Sequence, residues 1–194
     1  EIDKALIISA RTLVEQDPNY TYATARFLLR TLYTEALDFL ELPTAVYTNN
    51  HAGVYHHYFQ HYIKRGVALE LLDPQLRSFD LEKLGKALLP ERDQQFTYLS
   101  LQTLYDRYFL HADDVRFELP QAFFMRIAMG LAQQESNKED RAIEFYQLLS
   151  SFDYMASTPT LFNAGTLRPQ LSSCFLTTVA DDLDQIYSAI KDNA

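Results

Sequence analysis

Apolar residues recur every three or four positions through most of this chain, the rhythm that buries one stripe of a helix. Residues 2–15 keep it from Ile2 to Val14, and Asp17-Pro18 terminates the helix they predict. Residues 20–40 repeat it at Ala25, Leu28, Leu29, Leu32, Ala36, Phe39 and Leu40, giving a second helix paired with the first. Pro43 and Asn49-Asn50 mark a loop, and residues 52–72 form a tyrosine-rich helix that stops before Asp73-Pro74. A short helix over 80–89 has Asp80 as its cap and Pro90 as its stop. Asp93 opens the next, with Phe96, Leu99, Leu104, Tyr105 and Tyr108 as an aromatic stripe. Residues 116–120 lead into another, in which Pro120 suits the first turn and Phe124, Ile127, Ala128 and Leu131 face inward. Ser136 and Glu139 have the spacing of a capping box, and the helix they start turns Ala142, Phe145, Tyr146, Leu149 and Phe152 to the core.

The rhythm breaks at 157. Thr158-Pro159 biases the backbone away from helix, and Gly165 supplies the positive φ that a reversal after Asn163 needs. After Pro169, residues 171–179 are rich in threonine and aliphatic side chains, which suits a short buried strand with Cys174 at its middle. Asp181, Asp182 and Asp184 mark a further helix start, continued by Ile186, Ala189 and Ile190 and lacking a C-cap before Ala194. With no initiating methionine and helical pattern at both ends, the chain reads as a fragment of a longer polypeptide. The expected fold is mostly α: helices from 2 to about 153, irregular backbone to 170, then one strand. No sheet beyond a short hairpin is expected in the first 110 residues.

Composition narrows the function classes. The 194 residues are 47% hydrophobic, enough for a real core, and carry a net charge of −9, which argues against nucleic acid as a partner. No apolar run approaches the roughly 20 residues that span a bilayer. The single cysteine, Cys174, makes no internal disulfide, as expected in a reducing cytoplasm. Histidines fall at 51, 56, 57 and 61, and His57 and His61 could share a helix face. No carboxylate or cysteine completes a ligand set nearby, so they are read as solvated or hydrogen-bonded and no metal is assigned.

The run Thr158-Pro159-Thr160-Leu161-Phe162-Asn163-Ala164-Gly165-Thr166, leading into Ser172-Ser173-Cys174, resembles the large subunit of ribonucleotide reductase. The blocks Phe96-Thr97-Tyr98-Leu99, Glu118-Leu119-Pro120-Gln121 and Glu144-Phe145-Tyr146 resemble that family in the same order, as do Tyr20, Tyr22 and Arg26. The similarity is loosest over 41–90. It implies an N-terminal helical domain leading into the first strand of a ten-stranded α/β barrel. Residues 1–40 would follow or close a small ATP-cone-like regulatory module, 41–156 would be the helical domain, and 157–194 the start of the barrel.

The implied activity is that of a class I ribonucleoside-diphosphate reductase, an oxidoreductase of deoxyribonucleotide synthesis for DNA replication, with the fragment inactive alone. In this family a radical made elsewhere and a pair of cysteine thiols remove the ribose 2′-hydroxyl, and the pair closes to a disulfide. By resemblance Cys174 is one redox-active thiol of the pair, and Thr158, Ser173 and Cys174 contact the substrate nucleotide. Strict alternation along a strand would turn Ser173 and Cys174 to opposite faces, leaving open whether Ser173 acts by its side chain or its backbone. Asp181, Asp182 and Leu183 match the segment that meets the allosteric effector, and acidic groups there would meet sugar or base rather than phosphate. Helix capping is the simpler role for the same aspartates.

No cofactor is expected on the fragment. The full subunit would bind a nucleoside diphosphate substrate and dNTP or ATP effectors. Its partners would be a metal-containing, radical-generating small subunit, thioredoxin or glutaredoxin, and a second large subunit. The alternatives are a cobalamin-dependent, class II reductase and a helical binding module without chemistry, in which Cys174 would be a core residue reacting only after unfolding.

Overall fold

The computed structural model describes residues 2–43 and 51–194, with the side chains of the second stretch from residue 54 onward. The Asn49-Asn50 loop and the His51 side chain lie outside the described residues. Helix α1 (Ile2–Thr12) packs on α2 (Tyr20–Phe39), and α2 lies in turn against α5 (Tyr98–Arg107). The α2 stripe buries Ala25, Leu28, Leu29, Leu32, Ala36 and Leu37, close to the predicted face. Helix α3 (His51–Ala68) buries Val54, Tyr55, Tyr58, Phe59, Tyr62 and Ile63, a stripe two residues wide at each turn.

Helix α6 (Pro120–Ala132) is the centre of the fold. Eleven of its residues, from Pro120 through Met129 together with Ala132, are buried, so it has no solvent face for most of its length. It packs chiefly against α7 (Lys138–Ser150), while α4 (Leu81–Ala87) bridges α3 and α7. A two-stranded hairpin precedes α6, β1 (His111–Ala112) with β2 (Val115–Arg116), paired His111 to Arg116 and Ala112 to Val115. Its two-residue turn places Asp113 and Asp114 at φ 50° and 63°, the left-handed pair that matches the twist of a hairpin.

Local signals were overridden at several points. Asp93 does not open a helix: residues Pro90–Gln95 form a 3-10 segment that turns Asp93 into the core, and α5 begins after Thr97, whose hydroxyl accepts from Ser100 N at 3.3 Å. Of the expected stripe, Phe96 is buried and Leu104, Tyr105 and Tyr108 are half-buried against the core, whereas Leu99 is exposed and Leu101 is buried instead. The expected capping box at 136–139 does not form, because the Glu139 carboxylate accepts instead from Asp80 N at 3.3 Å, across the α4–α7 contact. Leu131 faces outward, while Phe152, beyond the end of α7 at φ 64°, is partly exposed yet packs edge-on against the buried Phe96 and Phe124 rings, with centroids 5.2 and 6.0 Å away.

The stretch expected to be irregular contains a short helix, α8 (Thr158–Asn163), with Pro159 in the first turn, where its missing N–H costs nothing. The expected strand around Cys174 is absent: residues 171–180 have no regular structure. A strand needs a neighbour for its ladder, and no backbone hydrogen bond reaches these residues from another described segment. Helix α9 (Leu183–Asp192) follows, and it does have a C-cap, Asn193, whose amide N–H and side-chain Nδ2 both donate to Ala189 O. No described helix is long and apolar enough to cross a membrane.

Candidate functional site

The 157–168 loop is held by a buried charge. Arg126 interrupts the apolar run Phe123-Phe124-Met125 of α6 and is fully buried, as is Glu118 just before the helix. Its Nε donates to Glu118 Oε1 at 2.7 Å. Nη1 donates to Ala164 O at 2.6 Å and Nη2 to Leu161 O at 3.2 Å, so one guanidinium satisfies two carbonyls at the C-terminal end of α8. Burial, the largest single influence, would lower the Arg126 pKa, but Glu118 and Tyr62 together, through charge and hydrogen bonding, hold the guanidinium above its ordinary value. Glu118 also accepts from Leu110 N at 2.9 Å and from the Tyr62 hydroxyl. Burial, and then the Glu118 charge, push the Tyr62 phenol well up.

Glycine completes the attachment. Gly165 has φ 74°, as the Asn-Ala-Gly turn predicts, and lies directly on Gly130 of α6: a Cβ on Gly130 would come within 2.2 Å of Gly165 N. Asp73 N donates to Gly165 O at 3.0 Å, and Leu72 bridges Thr166, tying the loop to the end of the α3 region. Asn163 Nδ2 donates to Gln170 O at 2.7 Å, and Thr160 Oγ1 to Leu171 O at 3.5 Å. Ordered attachment ends there.

Beyond Leu171 the sequence-predicted residues are exposed. Thr158 sits in the first turn of α8, its Oγ1 3.3 Å from the Tyr108 hydroxyl. Ser173 and Cys174 are both exposed, with Oγ and Sγ 3.8 Å apart, so the two side chains share one side of an irregular segment instead of alternating. No hydrogen bond joins either of them to Thr158. Asp182 caps α9 through Gln185 N at 3.2 Å, while Asp181 and Leu183 are exposed. Thr177 Oγ1 donates to Asn193 Oδ1 at 3.0 Å, which folds the end of α9 back beside the segment after Cys174.

Sequence reasoning missed the polar interior. Asp93 accepts from the Tyr33 hydroxyl at 2.6 Å, the Tyr55 hydroxyl at 2.8 Å and Gln121 Nε2 at 2.7 Å, joining α2, α3 and α6. Gln121 Oε1 in turn accepts from the Tyr146 hydroxyl at 2.7 Å, which brings in α7. Burial pushes Asp93 up to about 6 even though the three hydrogen bonds pull the other way. The available signals were Arg126 alone in an apolar run and tyrosines at 55, 58 and 62 on one helix face. Among the described histidines, His61 Nδ1 donates to His57 O at 2.8 Å, a role within the helix. No group of three or more described His, Cys, Asp or Glu residues is placed to hold a metal ion.

Residues 94–169, which include Asp93's neighbour Gln94, α6, α7 and the α8 loop, match the family model described as ribonucleotide reductase, all-alpha domain. Over its full length the chain is 47% identical to the ribonucleoside-diphosphate reductase subunit alpha of Chlamydia muridarum, covering 18% of that protein. It is 39% identical over its full length to the subunit alpha of Helicobacter pylori, covering 23% of it. With the ribonucleoside-diphosphate reductase large subunit of Monkeypox virus it shares 32% identity across 98% of the chain and 24% of that relative. The chain spans about a fifth of the length of these curated relatives.

Proposed function

Because this chain belongs to the ribonucleotide reductase large-subunit family, we propose that it is the helical region and the entrance to the catalytic barrel of a class I ribonucleoside-diphosphate reductase. The observation that carries this is the 47% identity to a subunit of that name along the entire chain, residues 157–176 included. The reaction replaces a ribose C2′–OH by C2′–H: the carbon is reduced by two electrons, the hydroxyl leaves as water, and two thiols lose those electrons as they close to a disulfide. Cys174, the only cysteine here, supplies one sulfur, and the second comes from residues outside these 194. An exposed thiol suits this role, since both a nucleotide and an external dithiol must reach it.

In this reading Thr158 and Ser173 contact the substrate, and Asp181, Asp182 and Leu183 meet the effector. The radical would come from a metal-containing small subunit, the electrons from thioredoxin or glutaredoxin in the cytoplasm, and the large subunit would pair with a second copy. The test is Cys174→Ser in the full-length subunit. Multiple turnover with a thiol reductant should be abolished while nucleotides still bind. Steady-state reduction at the wild-type rate in that variant would remove Cys174 from the redox pair.

A further inference from the structure

Helix α8 is gripped on two sides by different chemistry. One side is the buried one, where Leu161 packs and Arg126 takes the carbonyls of Leu161 and Ala164. Another carries Thr158 and Phe162, four residues apart and therefore stacked along one helix face. A single residue at the C-terminal end of α5, Tyr108, meets both. Its ring stacks on Phe162 with centroids 4.5 Å apart and planes 15° from parallel, and its hydroxyl lies 3.3 Å from Thr158 Oγ1.

Tyr108 is itself fixed. It is the C-cap of α5, its N–H donating to Leu104 O at 2.9 Å, and the next residue, Phe109, is buried against Phe123 of α6. The stack sets the plane of the phenol and so where its oxygen can lie. Resting on the reading of Thr158 as a nucleotide contact, we propose that Tyr108 is the positioning residue for the Thr158 hydroxyl. A phenol is the stronger hydrogen-bond acid of the two, so Tyr108 donates to Thr158 Oγ1. One Thr158 lone pair is then occupied and its O–H is turned outward, ready to donate to an anionic oxygen of a nucleoside diphosphate. In this role Tyr108 acts on the substrate through Thr158. It removes the rotational freedom that a threonine hydroxyl on an exposed helix turn would otherwise keep.

The test compares Tyr108→Phe, Thr158→Val and the double variant in the full-length reductase, reading KM, kcat, equilibrium affinity for the nucleoside diphosphate, and melting temperature. Tyr108→Phe keeps the ring and its stack and loses only the donor. It should raise KM and weaken binding about fivefold, the effect of roughly one hydrogen bond, with a smaller change in kcat and an unchanged melting temperature. Thr158→Val should weaken binding at least as much, and Tyr108→Phe should add nothing in that background. A raised KM in Thr158→Val beside a wild-type KM in Tyr108→Phe would overturn the positioning role and leave Thr158 as a contact. Effects that multiply in the double variant would also overturn it, because Tyr108 would then act independently of Thr158. A silent Thr158→Val would instead overturn the contact reading itself, and the positioning role with it.

Discussion

Replacing Arg126 by methionine gives the sharpest test of what holds the candidate site. The side chain is fully buried and serves Glu118, Ala164 O and Leu161 O at once. Methionine fills much of the volume and removes every donor. Removing one partner of a buried ion pair costs about 3–5 kcal/mol, because the other charge is left without compensation. Two buried carbonyls also lose a donor, at about 1 kcal/mol or more each. The loss should therefore be on the order of 5 kcal/mol, comparable with the roughly 5–15 kcal/mol that keeps a whole domain folded. Neutralising the stranded group should recover part of it, so Glu118→Gln/Arg126→Met is expected to be more stable than Arg126→Met by about 2 kcal/mol. Chemical denaturation of the three proteins gives these differences. Hydrogen exchange locates them: the amides of Ala164 and Thr166, which donate to Thr160 O and Asn163 O, should lose protection before the amides of α2. A loss below about 1 kcal/mol, or a double variant as unstable as the single one, would refute the claim that this charge pair fastens α8 to the core.

Asp93 gives a pH prediction. Its folded pKa of about 6 lies above the ordinary 3.8, so between those values the folded state holds a proton that the unfolded state has released. Stability from this group is greatest below about pH 4, falls as pH rises through about 6, and is level beyond, a change of about 3 kcal/mol. Asp93→Asn removes that slope, so its stability relative to wild type should climb between pH 4 and 7 in paired melts; a flat or falling difference would contradict the burial argument. Gly130→Ala drives a Cβ into the backbone of Gly165 and should destabilise by more than about 2 kcal/mol. Gly85→Ala, in α4 with its nearest neighbour at 3.5 Å, should instead stabilise by up to about 1 kcal/mol. If both behave alike in thermal denaturation, the close approach of α6 and the loop is wrong. Asp182→Ala removes the α9 cap and should cost about 0.5–2 kcal/mol of helix stability. Asp181→Ala in the full-length protein should leave α9 intact and weaken effector affinity about fivefold; unchanged affinity and unchanged choice of substrate would take Asp181 out of the effector site.

What the sequence determined by itself was whatever depends on near neighbours along the chain. The periodicity of α2, the Asp80 cap, Pro120 in the first turn of α6 and the positive φ of Gly165 all follow from the residue and the few beside it. The site residues were legible for a different reason: 157–176 resembled a known family. Tertiary structure decided the rest. Asp93 and Glu139 carry the chemistry of helix caps, yet each found partners from distant elements, and a local preference of about 1 kcal/mol yields to a buried group's need for hydrogen bonds. Arg126 was one charge in an apolar run until folding brought Glu118 and the α8 carbonyls around it. The Cys174 segment shows the converse. Its composition favours a strand, but a strand exists only through backbone hydrogen bonds to a neighbour, and no described segment makes such bonds with it.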